Sequence, residues 1–152
     1  MLGKEYIVIP TQKMSKVHFT EDSFLIPEKY INSGKVAYYV KKILRDLACR
    51  IIPNRVDELI SNNNLKFKYS KIVLGNFKSK WGSCDNFSVI KFNWKLIMAK
   101  PEVIDFVILH ELTHLKELNH SRKFYEILNS ICPNWKILKK NLSEIAFLLN
   151  LY

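Results

Sequence analysis

Between residues 101 and 121 the chain reads Pro-Glu-Val-Ile-Asp-Phe-Val-Ile-Leu-His-Glu-Leu-Thr-His-Leu-Lys-Glu-Leu-Asn-His-Ser, and no other stretch restricts the fold as tightly. Val103, Ile104, Val107, Ile108, Leu112 and Leu115 recur at helical spacing. Pro101 suits a first helical turn, where its missing N–H has no partner to lose. Glu102 and Asp105 favour the positive end of the helix dipole. The pattern predicts a helix over 101–118. On it His110 and His114 share one face, a turn apart, with Glu111 on the flank. Apolar residues border that face on both sides, so the helix is buried nearly all round. A polar trio inside it needs partners or a metal, because unpaired buried polar groups are costly. Asp105 falls on the far side and reads as a helix-start charge, not a ligand.

Two imidazoles at this spacing reach one divalent ion, and H-E-x-x-H supplies two zinc ligands plus a carboxylate placed to take a proton from water. The bare pattern also arises by chance on amphipathic helices. Here three of the four histidines of the chain fall in this one segment, which favours the metal. A third protein ligand leaves one position open for water. His120 reaches the ion only if the chain turns, and Asn119 is a residue that stops a helix in the left-handed conformation. Ser121 would cap the helix that follows. Glu117, on the same helical face as the pair, and Glu126, on the next helix, are rivals. The histidine spacing matches a longer zinc motif with a glycine midway. Glu117 stands at the glycine position, however, and no methionine follows Met98.

A chain of 152 residues with 48% apolar content predicts a single domain over 1–152. Within it lie a β-rich segment (1–34), a helical one (35–62) and a core (66–152). Residues 5–9 and 17–26 read as strands ended by Pro10 and Pro27. His18, alone in a strand, reads as structural. A helical pattern runs from Val36, with Pro53 kinking or restarting it, and residues 61–64 (Ser-Asn-Asn-Asn) close it. Ile90, Phe92, Trp94 and Leu96 alternate with Lys91, Asn93 and Lys95, as in a strand with one polar face. Residues 81–86 before it read as a turn, with Cys84 a neutral turn thiol. Further helices are expected around Phe124, Leu128 and Ile131 and from Trp135 through Leu149.

Neither a leader-like apolar run nor a bilayer-spanning stretch is visible, so a cytoplasmic location with no membrane partner is the expectation. Three cysteines without C-x-x-C spacing argue against a disulfide framework. The excess of 24 Lys+Arg over 14 Asp+Glu permits contact with nucleic acid. Lysines 66, 68, 71, 78 and 80 interleave with Phe67, Tyr69, Phe77 and Trp81, a composition shared by single-strand-binding surfaces and by ordinary half-exposed strands.

The ordered runs Lys78-Ser-Lys-Trp-Gly-Ser-Cys84, Phe92-Asn-Trp-Lys-Leu-Ile-Met-Ala99, Pro101-Glu-Val-Ile-Asp105, His110-Glu-Leu-Thr-His114 and Asn119-His-Ser121 with Phe124 resemble the YgjP-like metallopeptidase family. At greater distance they resemble the SprT-like and WLM proteases. The resemblance implies a compact α+β zincin-like fold, its helices packed on a small, mostly antiparallel sheet with the active-site helix beneath an edge strand. It implies His110, His114 and His120 as ligands of Zn2+, with Glu111 catalytic. The expected function is therefore a zinc-dependent hydrolase acting on peptide or protein, in which Glu111 takes a proton from water and hands it to the leaving amine. A strand edge in 71–78 or 86–94 would align an extended peptide, and Tyr125 and Asn93 stand open as oxyanion donors. Two other classes remain: hydrolysis of a phosphorylated or nucleotide substrate, and a zinc-bearing nucleic-acid-binding module with little catalysis.

Overall fold

A computed structural model describes residues 1–63 and 65–151, so Asn64, the last residue of the expected helix end, lies outside the described residues. In chain order the elements are β1 (Ile7–Thr11), β2 (His18–Phe19), β3 (Ser23–Pro27), α1 (Glu28–Asn32), α2 (Val36–Asn62), β4 (Lys71–Gly75), β5 (Gly82–Cys84) and β6 (Val89–Asn93). A 3₁₀ segment (Trp94–Met98) leads into α3 (Pro101–His114), followed by α4 (Arg122–Ile131), α5 (Trp135–Glu144) and a 3₁₀ segment (Ala146–Asn150). The last expected helix is thus broken at Ile145.

The strands form two three-stranded sheets, ordered β1-β3-β2 and β4-β6-β5. Each holds one parallel and one antiparallel pair, so the sheets are mixed and not mostly antiparallel. The second sheet shows why. The chain leaves β4, passes to the far side of β6, and returns through a tight β5–β6 turn that forces antiparallel pairing there. The Asp85 carboxylate holds that turn, accepting from the amides of Phe87 (3.0 Å) and Val89 (3.1 Å). The strand expected over 90–96 stops at Asn93, whose side chain accepts from the Lys95 amide and caps the 3₁₀ segment. Beyond that point the two-residue period no longer applies. Lys95, expected on a polar face, is 2% exposed, its Nζ donating to the Leu149 carbonyl at 2.7 Å.

Pro53 does not restart α2; the helix runs through it. The carbonyl four residues back, which loses its N–H partner, belongs to Cys49, an exposed residue. Leu44, Leu47, Ala48, Ile52, Val56 and Leu59 form the buried stripe of α2, packed on the 94–98 segment and on α3. Arg55 grips Asp105 with two hydrogen bonds (2.7 and 2.8 Å), which places that carboxylate away from the histidines. Ile108, Leu112, Phe124 and Leu128 are fully buried and tie α3 to α4. No helix among the described residues is long and apolar enough to cross a membrane.

Candidate metal and catalytic site

The active-site helix is shorter than its hydrophobic period suggests. It ends at His114, four residues before the expected boundary. The amides of Leu115 and Lys116 bond back three residues, to Leu112 and Thr113, tightening the last turn and releasing the chain. Asn119 is not left-handed: among the described residues only Leu2, Gly3, Gly34 and Ser88 have positive φ. The reversal is instead a three-residue turn centred on His120, closed by the Ser121 amide on the Asn119 carbonyl at 2.7 Å. Ser121 then caps α4, its hydroxyl accepting from the Phe124 amide at 3.3 Å.

This route brings His120 against the helix pair. His120 Nε2 lies 3.0 Å from His110 Nε2, and one ring nitrogen from each of His110, His114 and His120 falls within 4.8 Å of the others. No other such group of histidine, cysteine or carboxylate residues occurs among the described residues. Glu117 turns its side chain to Lys123 (3.9 Å) and Glu126 pairs with Arg122 (2.8 Å). The Glu117 backbone nevertheless contributes: its carbonyl sits 3.1 Å from His114 Nδ1. A proton shared there leaves Nε2 with a free lone pair. His18 lies exposed on β2, apart from the cluster.

Phe124 underlies all three rings. It is fully buried, with centroids 5.0, 4.6 and 4.7 Å from His110, His114 and His120. Burial, then the neighbouring His114, His120 and Lys139, hold His110 down to about 3. Burial lowers His114 as well. Both imidazoles are therefore neutral at ordinary pH, the form that ligates metal. Two nitrogens on one tetrahedral zinc lie roughly 3.3 Å apart, given Zn–N distances of about 2.0–2.1 Å. The cluster has that scale, so the residues present fit a metal ion.

Glu111 is 5% exposed, and its Oε2 has no hydrogen-bond partner. Burial pushes its carboxyl up to about 8, with the Lys80 charge pulling the other way. A buried oxygen without a donor beside three convergent imidazoles is a group placed to hold a proton. Against it lies β5, whose Gly82 leaves room for the carboxylate. Residues 82–84, read in the sequence as a turn, are the edge strand packed on α3. Of the two stretches expected to offer a strand edge, 86–94 contains β6, bonded on both sides, and 71–78 contains β4, at the opposite edge. Asn93 has no donor to spare for an oxyanion, because its amide serves the carbonyls of Phe77 (2.8 Å) and Lys80 (3.3 Å). Tyr125 stands beside His120, stacked on Trp135 at 5.0 Å. Burial, followed by Glu111 and Asp85, pushes the Cys84 thiol up to about 11, so it is protonated and unreactive at neutral pH. Lysines 66, 68, 71, 78 and 80 are exposed, whereas Phe67, Tyr69 and Phe77 are half-buried and Trp81 is buried. Phe67 and Tyr69 pack against the hydrophobic core.

A mixed α/β fold delivers three histidines and a buried glutamate from one helix and its following turn, the residue types of a metal-dependent hydrolase. The chain belongs to the YgjP-like metallopeptidase family: the family's metallopeptidase-domain profile matches residues 1–145, well beyond the second half that carries the motifs. Among solved structures it is similar to the metallopeptidase zymogen abylysin of Pyrococcus abyssi, with a TM-score of 0.54 and 15% identity over 60% of this chain and 91% of that one. It also aligns with the metallopeptidase zymogen jannalysin of Methanocaldococcus jannaschii, with a TM-score of 0.46 and 25% identity over 60% of this chain and 97% of that one. The abylysin likeness shows a shared fold. No curated protein sequence matches the chain.

Proposed function

We propose that this chain is a zinc peptidase in which His110, His114 and His120 hold the ion and Glu111 is the general base. The observation that carries the reading is the convergence of three imidazoles on the helix that also carries a buried carboxylate oxygen without a hydrogen-bond partner. When bound, zinc supplies Lewis acidity to a water and to the substrate carbonyl. Glu111 accepts the proton of the attacking water at Oε2 and returns it to the departing amine. Burial favours the protonated form needed for that return, and the positive charge of a bound ion would favour the carboxylate that starts the cycle. The Glu117 carbonyl fixes the tautomer and plane of His114, and Phe124 fixes the plane of all three rings. The free edge of β5 aligns an extended peptide over α3 by main-chain hydrogen bonds.

Glu111→Gln tests this directly, because the amide keeps the shape and cannot accept the proton. We expect it to retain about one zinc per chain and to lose on the order of a hundred- to ten-thousandfold in turnover. His110→Ala should lose zinc and activity together. Full activity of Glu111→Gln on a peptide the wild type cleaves would remove Glu111 from the mechanism.

A further inference from the structure

Between residues 29 and 50, across α1 and the first half of α2, six lysines and arginines stand against one acid, Asp46. Lys42 and Arg45 are exposed and three residues apart, and Lys41 and Arg45 are four apart. Like charges at those spacings destabilise a helix. Asp46 is four residues from Lys42, yet no ion pair among the described residues engages Lys16, Lys42 or Arg45. Their charge therefore lacks an internal counter-charge, which an external anion would supply.

This face is hollowed in two places. A cleft of about 390 Å³ runs along α2 past Tyr38, Lys41, Arg45 and Cys49. A second, of about 400 Å³, is walled by Lys16, Val17, Tyr30 and Tyr39. Lys42 and Asp46 line both, so they form the ridge between them. Neither cleft takes a residue from α3, α4 or β5, so the surface is separate from the metal site. Each cleft sets tyrosine beside its cations. Tyr30 and Tyr39 stack on each other, centroids 3.8 Å apart, and the Tyr30 hydroxyl donates to the Ser15 carbonyl at 3.3 Å. That bond ties the segment carrying Lys16 to the helix. Tyr38, edge-on to Tyr39 at 5.2 Å, is 62% exposed and is the ring with room for a base.

Charge and shape together narrow the partner. A bilayer surface would draw the cations but leave the hollows unfilled. An acidic peptide offers charge without a flat face for the ring. A single nucleic-acid strand brings a phosphate chain and unstacked bases at once, whereas the bases of a duplex already stack on one another. We infer that the outer face of α2, with the segment around Lys16, binds single-stranded nucleic acid. Lys16, Lys42 and Arg45 take phosphates, and Tyr38 stacks a base.

The test titrates the full chain against a fluorescently labelled oligo(dT) strand, read by anisotropy. Three phosphate contacts on a single strand give a slope of about −2 in log K against log salt, so affinity should fall roughly twentyfold between about 50 and about 200 mM. Lys42→Ala combined with Arg45→Ala should flatten that slope to about −0.7 and weaken binding by on the order of tenfold or more at the lower salt. Tyr38→Ala should weaken binding by on the order of tenfold and leave the slope in place, because the lost ring carries no charge. All three side chains are exposed, so the thermal melts should match the wild type. Lys66→Ala combined with Lys68→Ala should bind as the wild type does. No binding at low salt, or binding lost in the Lys66/Lys68 variant and kept in the Lys42/Arg45 one, would overturn the assignment. So would tighter binding of an oligo(dT)·oligo(dA) duplex, of phosphatidylserine vesicles or of polyglutamate, or full affinity in Tyr38→Ala.

Discussion

Gly82 has no side chain, and Glu111 occupies the space one would take. A Cβ built on Gly82 would lie 2.6 Å from Glu111 Oε1 and 2.7 Å from its Cγ, closer than real contacts allow. The backbone there does not have positive φ, so the constraint is one of contact and not of strain. Gly82→Ala must then push either the carboxylate or β5 aside. A displacement near 1 Å at a proton-transferring group costs on the order of a hundredfold in rate. The expected outcome is a loss of that order in kcat with zinc content intact, read by metal analysis beside a peptide assay. Wild-type turnover in that variant would show that Glu111 does not work from the position seen here. The histidines were legible in the sequence because one helix carries the pair and their spacing alone brings them together. Gly82 was not, because its requirement comes from a residue far along the chain. Nor was Lys95: alternation assigned it to solvent, and only the early end of β6 turns it inward.

At the scale of elements, propensity and capping signals located the starts of helices better than their ends. Pro101 opens α3 and Ser121 caps α4 as expected, since both act locally. The end of α3 depends on hydrogen bonds back to Leu112 and Thr113 and on a turn around His120, for which no residue type is diagnostic. Short strands fared worst. Residues 82–84 carry only Gly-Ser-Cys, and their pairing with β6 is set by the turn after them. Pro53 is the reverse case, a strong breaker overruled by packing, with Ile52 and Val56 fully buried on either side. The override costs a hydrogen bond to the Cys49 carbonyl, which Pro53→Ala can restore. A proline within a helix interior is disfavoured by up to about 3 kcal/mol relative to alanine, less where the carbonyl is hydrated. At roughly 2–4 °C per kcal/mol for a chain of this size, Pro53→Ala should raise the Tm by several degrees in a thermal melt. A lower Tm would mean that α2 needs the bend that Pro53 imposes.

Across the whole molecule, the three histidines join α3 to the turn that leads into α4. His110 and His114 sit in the buried helix, whereas His120 is exposed on the turn leading into α4. An ion bound by all three would clamp that turn to α3, so zinc binding would be linked to folding. A ligand that binds only the native state at a hundred times its Kd adds about 2.7 kcal/mol of stability. Chelation of the loaded protein should then lower the Tm by roughly 5–10 °C at the same conversion. The shift also discriminates among ligands. His120→Ala should lose most of it, because the clamp needs that turn. Glu117→Ala should keep it, since the group of Glu117 that orients His114 is its carbonyl, which alanine retains. Glu126→Ala should keep it too, because that carboxylate is engaged with Arg122. A melt that chelator leaves unmoved, with zinc present beforehand by metal analysis, would mean that the ion sits away from the three histidines. A shift lost in Glu126→Ala and kept in His120→Ala would instead give the third coordination position to α4.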